Sequence, residues 1–374
     1  MKPSVLQLID SFNQGGSERQ ALQLTRLLAE SDKFQVRLAS LNPEGSLRRT
    51  IEDLDLGEIP SFPLNSFYDA NAVKQLRRLV RWLKSSQIQI IHTHDFYTNV
   101  FGMAAGALAR LPVRVASMRE TVGMRSATQK KVQQVAYSLA HQIVANSEAV
   151  KNILIGDGMP ADKITVVYNG LDVARLIPQA SSRAEALALL GVNDDRRFIS
   201  IVANMRLEVK DYPMFLRAAR QVRDAEPRAG FLLAGEGELT DSLRALAAEL
   251  GIQDSVYFLG RCERVADLLS ISEICVLSSK AEGFSNSILE YMAAGRPVVV
   301  TNVGGAAEIV TEAETGYLVS SGDDATMAAR IVSLLRDPER ARDMGKNGAR
   351  IVREKFSCAA QLSRTESLYE RLLQ

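Results

Sequence analysis

The chain has 374 residues, 46% of them apolar and 24% charged, the balance of a globular protein long enough for two hydrophobic cores. Its formal net charge of +1 argues against nucleic-acid binding driven by counterion release. Cys262, Cys275 and Cys358 form neither a disulfide nor a metal pattern, and no apolar run reaches the length of a signal-peptide core or membrane span, so a cytoplasmic protein with at most peripheral membrane contact is expected.

Short apolar runs alternate with helical periodicity from end to end, the pattern of βαβ units and parallel sheets. Strands are predicted over residues 5–9, 36–41, 88–92, 113–117, 143–145 and 165–167, and again over 198–203, 230–233, 256–259, 274–277, 298–301 and 317–319. Between the two sets lies a polar, strandless stretch, residues 172–197, whose helix at 183–190 opens the second unit. A single amphipathic helix, residues 357–373, closes the chain with no strand after it. Two α/β units of this kind present the C-terminal ends of their strands to a cleft, so chemistry is sought in the loops that follow them.

After the first strand, SFNQGGSERQ offers Gly15 and Gly16 for close backbone approach and Ser17 as a cap for the next helix. Residues 71–85 form a basic amphipathic helix, with Val73, Leu76, Val80 and Leu83 on one face and Lys74, Arg77, Arg78, Arg81 and Lys84 around it. Such a helix, with Trp82, is either the solvated outside of an α/β unit or a contact for an anionic bilayer. HTHD follows the third strand. His92 and His94, two apart, share a strand face, but only the distant His141 could add a further histidine ligand, so no metal site is expected. His92 reads as structural and His94, nearer the strand end, as a site residue.

After the seventh strand, NMRLEVKD carries Arg206 and Lys210. One supplies a planar fork and the other a compact point charge, and together they can neutralise a diphosphate leaving group. AGEGEL sets Gly235 and Gly237 between a strand and a helix, yet Thr240 stands where a dinucleotide fingerprint needs its third glycine. It reads as a tight turn beside a nucleotide. EGFSNSILE, residues 282–290, places Glu282 in a loop and Glu290 on a helix predicted over 287–294. The amides of Phe284, Ser285, Asn286 and Ser287, at the positive end of that helix, suit a phosphate. The flanking carboxylates can accept hydrogen bonds from hydroxyls, and the combination fits a sugar attached to a phosphate.

GGSE, HTHD, ANSEAVK, VVYNGLD, the Arg206/Lys210 pair, AGEGE, the Glu282-to-Glu290 motif, GRPVVVTNVGG and ETGYLV resemble, in order and spacing over nearly the whole chain, a GT-B fold glycosyltransferase of retaining family 4. The resemblance implies an α/β chain of two Rossmann-like domains with parallel sheets facing across a cleft. Residues 1–178 would bind the acceptor and 179–356 the nucleotide-sugar, with 357–374 a helix packing back on the first domain. It assigns Arg206 and Lys210 to the donor diphosphate, Glu282 to hydroxyls of the transferred sugar and Glu290 to the ribose. Phe284, Ser285 and Asn286 would meet sugar or phosphate through their amides, Gly16 would approach the diphosphate, and His94 would contact the sugar. Gly235, Glu236 and Arg261 would line the donor, while Arg119 and Arg125 would meet an anionic acceptor group such as a lipid phosphate. The implied reaction moves a hexose, with retention and without a metal or other cofactor, from a UDP-sugar in preference to a GDP-sugar. Its acceptor would be a glycan or lipid-linked molecule of cell-surface polysaccharide synthesis. One departure is Asp211, which follows Lys210 where the family usually has glycine. A sugar-nucleotide epimerase of the same architecture and a non-catalytic nucleotide-sugar binder are the alternatives.

Overall fold

The computed structural model describes the chain except for Met1, Asn65, Tyr68, residues 120–125, Asp194, Asp195 and Leu207. All twelve predicted strands are present, each within two residues of its expected limits. The chain divides into two compact units, Met1–Gly170 with Cys358–Gln374, and Leu171–Ser357.

The first unit holds β1 (Ser4–Ile9), β2 (Gln35–Ser40), β3 (Ile90–Thr93), β4 (Val113–Met118), β5 (Gln142–Ala145) and β6 (Ile164–Val166), all parallel in the order β2-β1-β3-β4-β5-β6. Strands covered by helices on both faces read as unbroken apolar runs, which is why β1 is buried at every position. Its side chains alternate: Leu6 and Leu8 join a core with Leu79 and Leu83, whereas Val5 and Ile9 join one with Leu24, Leu28 and Tyr369 of the terminal helix, Cys358–Leu373. Gln7 is on the second of these faces, a polar residue in an apolar row.

The second unit holds β7 (Arg197–Val202), β8 (Ala229–Ala234), β9 (Val256–Gly260), β10 (Ser272–Leu277), β11 (Val298–Thr301) and β12 (Gly316–Val319), in the parallel order β12-β11-β10-β7-β8-β9. This is the doubly wound order of dinucleotide-binding sheets. Its core takes Phe215, Ala218, Ala219 and Val222 from the Tyr212–Ala225 helix, a three-and-four spacing that forms one apolar stripe.

The chain passes from the first unit to the second at Gly170, just before the strandless stretch 172–197 and eight residues before the limit of 178 that the resemblance implies. The reason lies in polar anchors that apolar periodicity does not register. The Gly170 carbonyl accepts hydrogen bonds from the Gln20 and Gln23 amides at 3.1 and 2.9 Å. The amides of Gln179 and Ala180 donate to the buried Asp267 carboxylate, both at 2.8 Å, which ties the following stretch to the second unit. A second difference concerns the basic helix, Ala70–Ser85. It buries Ala72, Gln75, Leu79 and Leu83, leaving Val73 50% exposed among the cations. Gln75 is tolerated inside because it donates to Asn71 and accepts from Arg78.

Candidate active site

In an open parallel sheet, a crevice forms where neighbouring strands send their loops in opposite directions. In the second unit that point lies between β7 and β10, which are hydrogen-bonded neighbours while their chains continue to β8 on one side and β11 on the other. Arg206 and Lys210 follow β7, and the Glu282 turn follows β10. Backbone bonds join the two loops: the Lys280 amide donates to the Val209 carbonyl at 2.7 Å, and the Ser278 hydroxyl to the Lys210 carbonyl at 2.8 Å. Lys210 Nζ then lies 2.5 Å from Glu282 Oε1, and the Ser279 hydroxyl donates to the same oxygen at 2.6 Å. Arg206 is exposed at the rim.

The helix after Glu282 runs from Asn286 to Ala293 and is capped by Ser285, whose hydroxyl accepts from the Ile288 amide. Its first turn is fixed to the end of β7. The Ser287 hydroxyl donates to the Val202 carbonyl at 2.9 Å, and the Tyr291 hydroxyl accepts from the Val202 amide at 2.6 Å. Phe284 is buried against the Phe356 ring, while Glu290 is half-buried on the helix.

Glycines set the loop spacing. Gly304, at φ +53°, passes so close that a Cβ would meet the Glu282 carbonyl oxygen at 1.7 Å, and the Gly305 amide donates to the Gly283 carbonyl. Gly235 and Gly237 lie against the backbone of Ala203 and Met205, whose amide donates to the Glu236 carbonyl at 3.0 Å. The AGEGE glycines therefore brace the Arg206 loop. The Glu236 side chain is exposed, as is Arg261, which lies 3.5 Å from Glu263.

Asp211, the departure after Lys210, adopts the left-handed conformation, φ 44° and ψ 49°. Glycine enters that region without cost. Asp offsets part of the strain by capping the Tyr212–Ala225 helix, accepting from the Met214 amide at 3.3 Å.

The corresponding switch point of the first unit lies between β1 and β3. Gly16 begins the helix after β1, capped by Gly15 with no side-chain bond; Ser17 lies within the first turn and not at the cap expected of it. Asp95 caps the helix after β3, Phe96–Ala109, in a reciprocal box with Thr98. Burial raises its carboxyl to about 7, opposed by the Thr98 hydrogen bonds and reinforced by Asp10 and Glu18.

His92 and His94 are both buried, their rings 4.4 Å apart. His92 is bonded on both sides, Nδ1 to the Tyr369 hydroxyl at 2.6 Å and Nε2 to Ser117 Oγ at 2.7 Å. His94 Nε2 lies 2.7 Å from Gln7 Oε1, and an Arg119 nitrogen lies 3.5 Å from Nδ1. Burial, with the Arg119 cation acting in the same direction, pulls His92 down to about 3. His94 is also held well below the usual range, by burial, then His92 and Arg119. Both rings are neutral at pH 7. Arg119, lowered by burial to about 10, also donates to Asn169 at 2.8 Å.

The structure thus brings together Lys210 with Glu282, and His94 with Arg119; Arg125 lies outside the described residues. Sequence reasoning passed over Gln7 and Tyr369. The signal for Gln7 was its place inside VLQLI, since a polar group at a buried strand position needs a partner. Tyr369 gave none, because an aromatic on an amphipathic helix reads as core. Among the described residues, no three His, Cys, Asp or Glu side chains are arranged to hold a metal ion. No described helix is long and apolar enough to cross a membrane.

Two family models match the chain, Glycosyltransferase Family 4 over residues 14–175 and Glycosyl transferases group 1 over residues 182–351. N-acetyl-alpha-D-glucosaminyl L-malate synthase of Bacillus anthracis is 30% identical over 214 residues, 57% of this chain and 55% of that enzyme. The N,N'-diacetylbacillosaminyl-diphospho-undecaprenol alpha-1,3-N-acetylgalactosaminyltransferase of Campylobacter jejuni is 25% identical, covering 82% of this chain and 84% of the relative. The fold matches the crystal structure of Anabaena Alr3699/HepE in complex with UDP and glucose, with a TM-score of 0.88 at 20% identity over 99% of this chain and 100% of that one. With both units matched and the sheets wound as described, the chain belongs to the group 1 and family 4 glycosyltransferases of the GT-B fold.

Proposed function

We propose that the protein transfers a hexose, with retention and without a metal, from a UDP-sugar to a hydroxyl of a lipid-linked glycan in cell-surface polysaccharide synthesis. The observation that carries this reading is the half-buried Lys210–Glu282 pair at the β7/β10 switch point, beside the N-terminus of the Asn286–Ala293 helix. A donor diphosphate takes Lys210 as its counter-charge, with Arg206 and the helix N-terminus as further donors. Glu282, released from Lys210, accepts hydrogen bonds from the sugar hydroxyls. Glu290 takes the ribose, and Phe284, Ser285 and Asn286 present backbone to sugar and phosphate. Gly235, Glu236 and Arg261 border the nucleotide. In the first unit Gly16 approaches the diphosphate, His94 contacts the sugar, and Arg119 meets an anionic acceptor group.

The bond between the anomeric carbon and the diphosphate oxygen breaks, its electron pair leaving with UDP. The acceptor oxygen bonds to the same carbon on the same face, and its proton passes to the departing diphosphate. The residues named lower the barrier by stabilising charge that grows on the leaving group. UDP in the Anabaena structure and the undecaprenol-linked substrate in the name of the Campylobacter relative support the donor and acceptor classes. Five exposed cations on the Ala70–Ser85 helix support peripheral contact with the anionic inner face of a membrane.

Thermal denaturation with UDP-, GDP- and ADP-sugars tests the donor, because a bound donor raises the apparent midpoint by mass action. UDP-sugars should give the largest rise. Transfer to an undecaprenyl-diphosphate-linked sugar, run with EDTA and read by anomeric NMR, should give a retained linkage at undiminished rate. An epimerised nucleotide-sugar, or binding with no acceptor-dependent UDP release, would replace the reading with one of its alternatives. Liposomes containing phosphatidylglycerol should sediment the protein and lose it when Lys74, Arg77 and Arg81 are changed to Gln.

A further inference from the structure

The hydrogen bonds around His94 form one buried chain, and its direction can be derived. Arg119 has only donors, so a neutral His94 must leave Nδ1 bare and carry its proton on Nε2. That proton goes to Gln7 Oε1 at 2.7 Å. The Gln7 amide is then oriented with its Nε2 towards Tyr369, donating to the hydroxyl at 3.0 Å. Having accepted there, the Tyr369 hydroxyl gives its own proton to His92 Nδ1 at 2.6 Å. His92, in turn, must donate from Nε2 to Ser117 at 2.7 Å. Every member of this run is buried, and every bond fits one polarity. Sheet register explains the assembly: Gln7 pairs with His92, and His92 with Val115, two residues before Ser117 on the same strand face, so Gln7, His92 and Ser117 gather on one face of the sheet. The terminal helix covers that face and lays Tyr369 on it.

We propose that Tyr369 is a positioning residue, fixing through Gln7 which ring nitrogen of His94 carries the proton. The inference rests on the reading of His94 as a sugar contact, and Tyr369 itself touches no substrate. The Arg119 contact, at 3.5 Å, lies at the limit of a hydrogen bond, but Arg119 is the one partner in the run that can only donate, so it sets the polarity that the other members, each able to donate and accept, then carry. Tyr369 holds that polarity, because with its hydroxyl in place the Gln7 amide cannot turn over unless the Tyr369 proton swings to Gln7 Oε1 and His92 moves its own proton to Nδ1. A turned amide would offer His94 a donor, drive the proton to Nδ1 and set it against the Arg119 cation.

The chain has three histidines, His92, His94 and His141, so a two-bond proton–nitrogen spectrum of the protein labelled with 15N-histidine reports each tautomer, with His141 as internal control. In the wild type, His92 and His94 should both be protonated on Nε2. Tyr369→Phe should convert His94 to a mixture of tautomers and lower the rate of UDP release from UDP-glucose on the order of tenfold, the scale at which outer partners of a functional histidine act. Gln7→Met breaks the link to His94 while sparing the Tyr369–His92 bond. It should release His94 to a mixture of tautomers, which also covers the case of a Tyr369 variant that fails to fold. A single Nε2 tautomer at His94 in either folded variant overturns the proposal, as does wild-type turnover despite a mixed tautomer. Absence of UDP release in the wild type would count against the glycosyltransferase reading, while the His94 spectrum still decides the role of Tyr369.

Discussion

Lys210 Nζ lies 2.5 Å from Glu282 Oε1, with the two side chains 19% and 12% exposed, so each charge is the other's principal compensation. Removing one leaves its partner uncompensated in a poorly hydrated place. Lys210→Ala and Glu282→Ala are each expected to lower turnover of a UDP-sugar by about a hundred- to a thousandfold, the range for a donor that stabilises developing charge. Chemical denaturation of the two single variants and the double variant should show a coupling of about 0.5–3 kcal/mol. Near-normal turnover in both single variants would remove the donor assignment.

Asp211 separates two contributions that glycine and alanine test in opposite ways. Alanine loses the cap on Met214 and keeps the left-handed backbone, so Asp211→Ala should destabilise the protein by about 1–3 kcal/mol. Glycine loses the same cap but relieves the strain, and Asp211→Gly should fall within about 1 kcal/mol of wild type. Equal losses in urea denaturation would show that the backbone conformation is not the cost.

The contact between Gly304 and the Glu282 carbonyl bears on both activity and stability, because a Cβ at φ +53° is strained and meets backbone. Gly304→Ala must push the Glu282 turn away from the added methyl. A displacement near 1 Å at a reacting group costs about a hundredfold in rate. Turnover should fall on that scale in the folded variant, and urea denaturation should show a loss of about 1–2 kcal/mol from the left-handed backbone; wild-type turnover would show that the contact does not set the Glu282 turn.

Ionisable groups in the first unit make stability depend on pH in two opposed ways. His92, lowered to about 3, and His94 are protonated in the unfolded chain below its ordinary range but not in the folded one. Their contribution is therefore present above about pH 6.5 and is lost as the pH falls, with proton uptake on unfolding. Asp95, raised to about 7, does the reverse. Its folded form holds a proton that the unfolded chain has released above about pH 4, so stability is lost as the pH rises to 7. Asp95→Asn keeps an acceptor for the Thr98 amide and cannot ionise. Its melting temperature should gain on that of wild type from pH 5 to about 7 and level off above that, and a constant difference would rule out the linkage.

The sequence made the strands legible because parallel strands covered on both sides are apolar runs, and all twelve were found on that basis. Lys210 and Glu282 were both recognised as residues, but their pairing was not, because it depends on β7 lying beside β10, and strand order is not written in any local pattern. The same holds for Gln7, His92 and Tyr369, joined across 362 residues of chain. Val73 was placed on the buried face because it is apolar, whereas Gln75 holds that place once Asn71 and Arg78 satisfy its amide. Asp211 shows a third limit: its departure from glycine was visible, but the capping bond that makes it tolerable was not.

Tyr369 also has a consequence for biosynthesis. It follows the entire second unit in the chain, so a ribosome delivers all six strands of the first sheet long before it delivers the hydroxyl that Gln7 and His92 require. Until then the nascent first unit carries an unmatched polar row on the face its own core must bury. Its final locking is deferred to the last stage of synthesis, when the second unit is already made. A chain stopped at Ser357 should be cut within residues 1–170 at protease levels that leave the full chain intact.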